Sequence, residues 1–347
     1  MDKLLEMTQK FPMTQYWNDS CSINELTYAI ERGAVGATTN PVIVKGVLDS
    51  ELDRYREYIS GLVSANPTFT EDELAWIVVE KMAVDGAKLL APLFDAKKGT
   101  GRISIQTSTK YFNNTEKLVD QAVHFSKLAP NMQVKMPATA AGIKAFEEAT
   151  YRGVSVNATV SFTATQAMAA GEAIERGLKR REAEGLDISE INPVCTILVG
   201  RLDDWLKESA EKQGISVDPH ALLYSGIACV KKAYKAYQEK GFRTKMLSAA
   251  YRTPLHWLEF LGGDMILTIP YKYQKMFNTS NFELVARMDN DVDAHYIKEL
   301  RKIPDFIKAY DEMSIDEFDA FTPVNRTLIQ FLEGYDDLVR IIRKFMV

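Results

Sequence analysis

The run Gln133-Val134-Lys135-Met136-Pro137-Ala138-Thr139 sets a lone cation at the end of an apolar stretch, directly before what reads as a helix start. Desolvating an ammonium at the end of a buried strand is costly, and burial lowers its pKa toward the range where free amine is available. A free amine at such a position can condense with a ketone to form a Schiff base, the usual reason for an enzyme to bury a lysine. A strand-end lysine that snorkels its ammonium into water would give the same local run. What decides between them is the company that the fold brings to Lys135.

Short apolar runs alternate with longer segments of helical periodicity. The expected strands are Thr14–Asn18, Val35–Thr39, Arg102–Thr107, Gln133–Lys135, Val154–Asn157, Val194–Ile197, Lys245–Ala249 and Met265–Ile269. Apolar residues at three- and four-residue spacing predict helices at Ile23–Ile30, Glu71–Leu90, Thr115–Leu128, Ile143–Ala149, Thr163–Leu178, Leu202–Gln213 and Pro219–Tyr237. Each parallel return needs a covering helix, so this alternation predicts an α/β fold, a (β/α)8 TIM barrel. An open doubly wound sheet is the alternative. No Gly-x-Gly-x-x-Gly after a strand and no Walker sequence supports its nucleotide-binding form. Extra helices are expected after the second strand (Glu51–Val63 and Glu71–Leu90) and in a C-terminal tail from about Ala294. The tail should pack on the barrel or over its mouth, within one domain spanning residues 1–347.

In a closed parallel barrel the C-terminal strand ends converge on one mouth, so chemistry is sought there. The early strands bring Asn18-Asp19-Ser20, Thr38-Thr39-Asn40-Pro41, Gln106-Thr107-Ser108 and Lys135 to it. The later ones bring Asn157-Ala158-Thr159, Thr196 ahead of Leu198-Val199-Gly200-Arg201, and Ala249-Ala250-Tyr251-Arg252. A carboxylate, a lysine, amides, threonine hydroxyls and two arginines would then share one cavity. Single members have plainer readings. Thr39 or Asn40 suits an N-cap before Pro41, Asp19 could cap a helix from Ile23, and Arg201 could form surface ion pairs with Asp203 and Asp204.

Composition narrows the function classes. At 46% hydrophobic and 26% charged, the chain reads as a soluble globular protein. A net charge of −5 gives no support for nucleic-acid binding. No apolar run reaches the roughly 18 residues of a membrane span. Met1-Asp2-Lys3-Leu4-Leu5-Glu6 has acids where a signal peptide would have bases, so a cytoplasmic protein is expected. Cys21, Cys195 and Cys229 are too few and too widely spaced for a disulfide framework or zinc site. His124, His220, His256 and His295 share no metal-ligand spacing, so no metal is expected and each histidine is read as structural.

Several of these runs carry a family resemblance. Gly36-Ala37-Thr38-Thr39-Asn40-Pro41 looks like the transaldolase signature, in which a strand ends in Thr-Thr/Ser-Asn-Pro. Val134-Lys135-Met136-Pro137-Ala138-Thr139, Gly142-Ile143, Val156-Asn157-Ala158-Thr159 and Gln166-Ala167 are similar to that family's Schiff-base region. Val199-Gly200-Arg201, Asp204-Trp205 and Ala249-Ala250-Tyr251-Arg252 resemble its later motifs, and the match runs roughly from Tyr16 to Tyr271.

The resemblance implies a (β/α)8 barrel with Lys135 forming a Schiff base with a ketose and Asp19 transferring the proton for the cleaved C–C bond. Asn40 and Asn157 would bond hydroxyls of the three-carbon unit, Thr159 would hold the water, and Arg201 and Arg252 would bind the sugar phosphate, with Thr39 and Thr196 completing the substrate site. Phosphorylated sugars would be the partners, no metal or organic cofactor would be needed, and a homo-oligomer would not be unusual for the family.

The departures bear on substrate. Gln106 stands where the family usually has Glu, and Gln orients a water but cannot take its proton. Leu198 replaces an aromatic residue (Phe in transaldolases, Tyr in the related fructose 6-phosphate aldolases). Thr196 and Ala250 replace Ser. The resemblance therefore implies a transaldolase first, an aldolase-like or other acidic-sugar variant second, and a non-catalytic sugar-phosphate-binding barrel third.

Overall fold

The computed structural model describes residues 2–347. Its strands are β1 (Gln15–Asn18), β2 (Gly36–Thr38), β3 (Arg102–Gln106), β4 (Met132–Pro137), β5 (Val156–Ser161), β6 (Val194–Leu198), β7 (Lys245–Ala249) and β8 (Met265–Ile269). They pair in chain order, all parallel, and β8 closes on β1. The fold is the (β/α)8 barrel that the alternation predicts; the open sheet is excluded.

Successive strand residues alternate between the barrel interior and the helix layer. Inside, Ser104 Oγ donates to Gln133 Oε1 (2.7 Å), Asn157 Nδ2 to Ser104 Oγ (3.1 Å) and Thr196 Oγ1 to Asn157 Oδ1 (2.7 Å). This belt joins β3, β4, β5 and β6. Trp17, fully buried, fills the interior beside Gly36, where any Cβ would run into the indole.

Most boundaries differ from expectation by a few residues, as where Leu202–Gln213 starts at Val199 and Thr163–Leu178 runs to Ala183, and three differ for reasons that are not local. β5 runs on to Ser161 because Val160 adopts φ +53° and adds a residue, the register passing from Ala158↔Cys195 to Ser161↔Ile197. A β-branched residue in the left-handed region is a genuine outlier, so the bulge has no sequence signal. The first extra helix, Pro41–Ala65, starts directly after β2, with a break at Glu51 (φ −123°, ψ 26°) where the expected helix began. Pro219–Tyr237 is two helices, Pro219–Leu222 and Ser225–Lys240. The second starts where Asp203, from another element, accepts from Ser225 Oγ (2.6 Å) and Gly226 N (2.8 Å).

The tail forms helices Ala294–Leu300, Pro304–Tyr310, Ile315–Phe318 and Thr322–Met346. The last buries Val324, Leu328, Phe331, Tyr335, Leu338 and Ile342, one apolar stripe at helical spacing. It packs on Pro41–Ala65 and Glu71–Leu90 and reaches β5. Among the described residues, no helix is long and apolar enough to cross a membrane.

Gln166 ties together the strands that carry the candidate site. Its Nε2 donates to Ala138 O (3.1 Å) and Val160 O (3.3 Å), and its Oε1 accepts from Phe162 N (3.0 Å). Gln166→Leu keeps the bulk but strands these buried backbone groups. It is expected to cost about 3 kcal/mol, seen as a lowered urea midpoint; a change under about 0.5 kcal/mol would refute the bracing role.

Candidate active site

Lys135 lies on β4 with Gln106 in register on β3 and Asn157 on β5, and only 3% of it is exposed. Burial pushes its pKa down to about 8, against the opposing pull of the Asp19 carboxylate. Asp19 follows β1 and is half-buried. Burial raises its pKa, while Lys135, a hydrogen bond from Thr38 and the charge of Arg201 act the other way. Burial thus frees the Lys135 amine for nucleophilic attack and makes the Asp19 carboxylate a stronger proton acceptor than an exposed one.

Thr38 fixes the carboxylate. Its Oγ1 donates to Asp19 Oδ1 (2.8 Å) and, with that proton committed, receives the hydroxyl of Thr268 (2.7 Å). The capping alternative for Asp19 is excluded, since Ser22 Oγ accepts from Glu25 N (3.2 Å) at the head of Ile23–Ile30. Asn40 does cap Pro41–Ala65, its Oδ1 accepting from Ile43 N (3.0 Å), which leaves its amide nitrogen as the group able to donate to a ligand.

Asn157 is fully buried and held from both sides by Ser104 and Thr196, so Thr196 orients an amide. Thr159 is buried, and its carbonyl accepts from Ala138 N (2.6 Å) just before the Val160 bulge. Thr39 Oγ1 and Gln106 Oε1 are buried without a hydrogen-bond partner among the described residues. Both line a small cavity with Asn40, Trp76 and Tyr335, the last two rings stacked on one another (centroids 5.3 Å apart). Tyr335 belongs to the final helix, so the tail walls one side of the mouth.

Arg201 stands in the helix Val199–Gln213. Its Nη1 reaches Thr327 Oγ1 (3.4 Å), and its guanidinium lies 5.7 Å from the Phe331 ring centroid, both on the final helix. Burial, then the nearby charge of Arg252, lowers its pKa. The surface ion pairs of Arg201 with Asp203 and Asp204, its plainer reading, do not form. Asp204 pairs with Arg252 instead (2.7 Å), and Asp203 turns inward to His256 (2.7 Å). Ala250, at φ +63°, offers its carbonyl to Arg252 Nη1 (3.1 Å). Gly200 passes so close beneath that a Cβ would strike that carbonyl and the Arg252 side chain. Two guanidiniums held near one another form an electropositive corner suited to a dianion.

The family model for transaldolase/fructose-6-phosphate aldolase matches residues 16–332. The chain belongs to that family. It is 33% identical over 211 residues to Transaldolase 2 of Streptomyces avermitilis, covering 60% of this chain and 56% of that protein. It is 32% identical over 267 residues to a transaldolase of Thiobacillus denitrificans, covering 70% and 73%. A transaldolase of Mycobacterium ulcerans is 30% identical over 218 residues, covering 60% and 56%. The chain thus spans little more than half the length of the Streptomyces and Mycobacterium relatives.

Of the residues that stand apart from the family resemblance, Gln106 and Leu198 end β3 and β6, Ala250 directly follows β7, and Thr196 lies in the middle of β6. Thr38, Gln166, Asp203, His256, Thr327, Phe331 and Tyr335 were not singled out from the sequence as site residues. Thr38 and Gln166 lie inside quoted motifs, which was their one available signal. The tail residues join the site only through tertiary packing.

Proposed function

We propose that the chain is a transaldolase, moving a dihydroxyacetone unit from a ketose phosphate, such as fructose 6-phosphate or sedoheptulose 7-phosphate, to an aldose phosphate through a Schiff base on Lys135. The observation that carries the reading is the buried, pKa-lowered Lys135 beside Asp19 at the barrel end that also holds Arg201 and Arg252.

Lys135 Nζ adds to the ketone C2 and water departs, giving an iminium. Asp19 takes the proton of the C4 hydroxyl as the C3–C4 bond breaks, its electron pair flowing into the iminium. An aldehyde leaves, and an enamine remains on Lys135. The amides of Asn40 and Asn157 would hold its hydroxyls, Thr159 with Gln106 would orient the water, and Thr39 and Thr196 would complete the pocket. Arg201 and Arg252 would grip the phosphate. The lysine is its own electron sink, so the reading needs no metal or organic cofactor.

The neutral Gln106 supports a second reading, an aldolase that releases dihydroxyacetone, because water management decides whether the enamine is protonated or transferred. Borohydride trapping with fructose 6-phosphate, and turnover with and without erythrose 4-phosphate, test both. A three-carbon adduct on Lys135 with acceptor-dependent turnover is expected. Acceptor-independent release would favour the aldolase, and no adduct would overturn both.

The Lys135 pKa adds a pH dependence. The lysine loses its proton as pH rises through about 8. Trapping of dihydroxyacetone, measured by rapid quench, should therefore climb about tenfold per pH unit below that value and then level off. A rise continuing toward about pH 10.4 would mean an unperturbed lysine.

A further inference from the structure

A buried network outside the reacting groups links the two arginines. The Arg252 backbone N–H donates to His256 Nδ1 (3.1 Å). An amide can only donate, so Nδ1 is unprotonated and Nε2 carries the ring proton, which it gives to Asp203 Oδ2 (2.7 Å). The other oxygen of Asp203 is held by Ser225 Oγ and Gly226 N. Asp203 shares its helix with Arg201, and His256 lies on the short helix Leu255–Leu258 beyond β7. The chain of contacts thus runs from the Arg201 helix through Asp203 and the imidazole to the backbone of Arg252.

His256 has no exposed surface and Asp203 only 9%. Burying a carboxylate and an imidazole is costlier than filling the same space with apolar side chains, so the pair is not explained by packing alone. What it holds is also specific. Ala250, directly before this turn, sits in the left-handed region, a conformation that persists only where surrounding contacts enforce it. Asp204, next to Asp203, meets the Arg252 guanidinium from the same helix (2.7 Å). Side chain and backbone of Arg252 are thus both referenced to the helix of Arg201.

We propose that His256, oriented by Asp203, is a positioning residue for an anion site, fixing the Arg252 turn so that both guanidiniums can meet one phosphate. The proposal rests on the reading of Arg201 and Arg252 as phosphate ligands.

Two substitutions separate the links of the chain. In His256→Asn the side-chain oxygen falls near the place of Nδ1 and keeps an acceptor for the Arg252 amide. In His256→Gln the amide nitrogen falls near Nε2 and keeps the donor to Asp203 but leaves the Arg252 amide unpaired. Inorganic phosphate binding by calorimetry, KM for fructose 6-phosphate, and borohydride trapping of dihydroxyacetone, which has no phosphate, are measured on the full chain.

His256→Gln is expected to weaken phosphate binding and raise KM by about tenfold, while His256→Asn stays within about threefold of the unaltered protein. Trapping of dihydroxyacetone should be unchanged in both. Equal losses in the two variants, unaltered phosphate affinity in His256→Gln, or a parallel fall in dihydroxyacetone trapping would each overturn the proposal and leave a general structural role. Failure of the unaltered protein to bind phosphate would overturn it as well. Phosphate binding without turnover of phosphosugars would instead sink the transaldolase reading while the calorimetric comparison still decides on His256.

Discussion

Lys135→Met should leave no borohydride-reducible adduct with fructose 6-phosphate and lower turnover by a factor on the order of 10⁶, the scale of losing a covalent nucleophile. The Schiff base is what makes the C3–C4 bond readily breakable: without an iminium, the electron pair of that bond must flow into the neutral C2 ketone, a far poorer acceptor. The fold should survive. Met matches the lysine stem in length and bulk, and the β4 position is already buried. Asp19, relieved of its cationic neighbour, would move further up in pKa and stay half in water. A stability change within about 2 kcal/mol is therefore expected in a thermal or urea melt. Surviving turnover, or an adduct on another lysine mapped by peptide mass, would remove Lys135 from the chemistry.

The barrel was legible because its signals are local. Apolar runs of strand length alternate with amphipathic helices, and β7 and β8 fall where the pattern puts them. Lys135 was legible for the same reason, as a cation in an apolar run. Features set by contacts between distant parts of the chain were not. Nothing in Val156-Asn157-Ala158-Thr159-Val160 announces that Val160 takes a positive φ, because the bulge is held from outside by Gln166. The helix start at Ser225 depends on a carboxylate that lies earlier in the chain. His256 illustrates the limit most clearly. With no nearby ligand spacing it reads as a structural histidine, and its partners, Asp203 and the Arg252 amide, meet it only once β6 and β7 are neighbours in the barrel. Sequence pattern reports which residues could do chemistry; it is silent on which side chains hold them still.

Asp19→Asn should move two rates in opposite directions. The carboxylate accepts the C4 hydroxyl proton during cleavage, and an amide cannot, so turnover is expected to fall by about 10² to 10⁴-fold. The same carboxylate is the group that raises the Lys135 pKa against the effect of burial. Removing its charge lets desolvation act unopposed, so the Lys135 pKa drops below about 8 and the fraction of free amine at neutral pH rises. Trapping of dihydroxyacetone at pH 7, which needs the amine but no C–C cleavage, should therefore become faster, and its pH midpoint should shift downward. The asparagine oxygen can still accept from Thr38, so the Thr38–Thr268 chain and the position of the side chain are preserved. Slower trapping in step with slower turnover would mean that Asp19 serves Schiff-base formation itself, as a proton donor to the departing hydroxyl. Unchanged trapping with an unshifted midpoint would mean that the two groups do not sense each other's charge, and the electrostatic account of this site would fail.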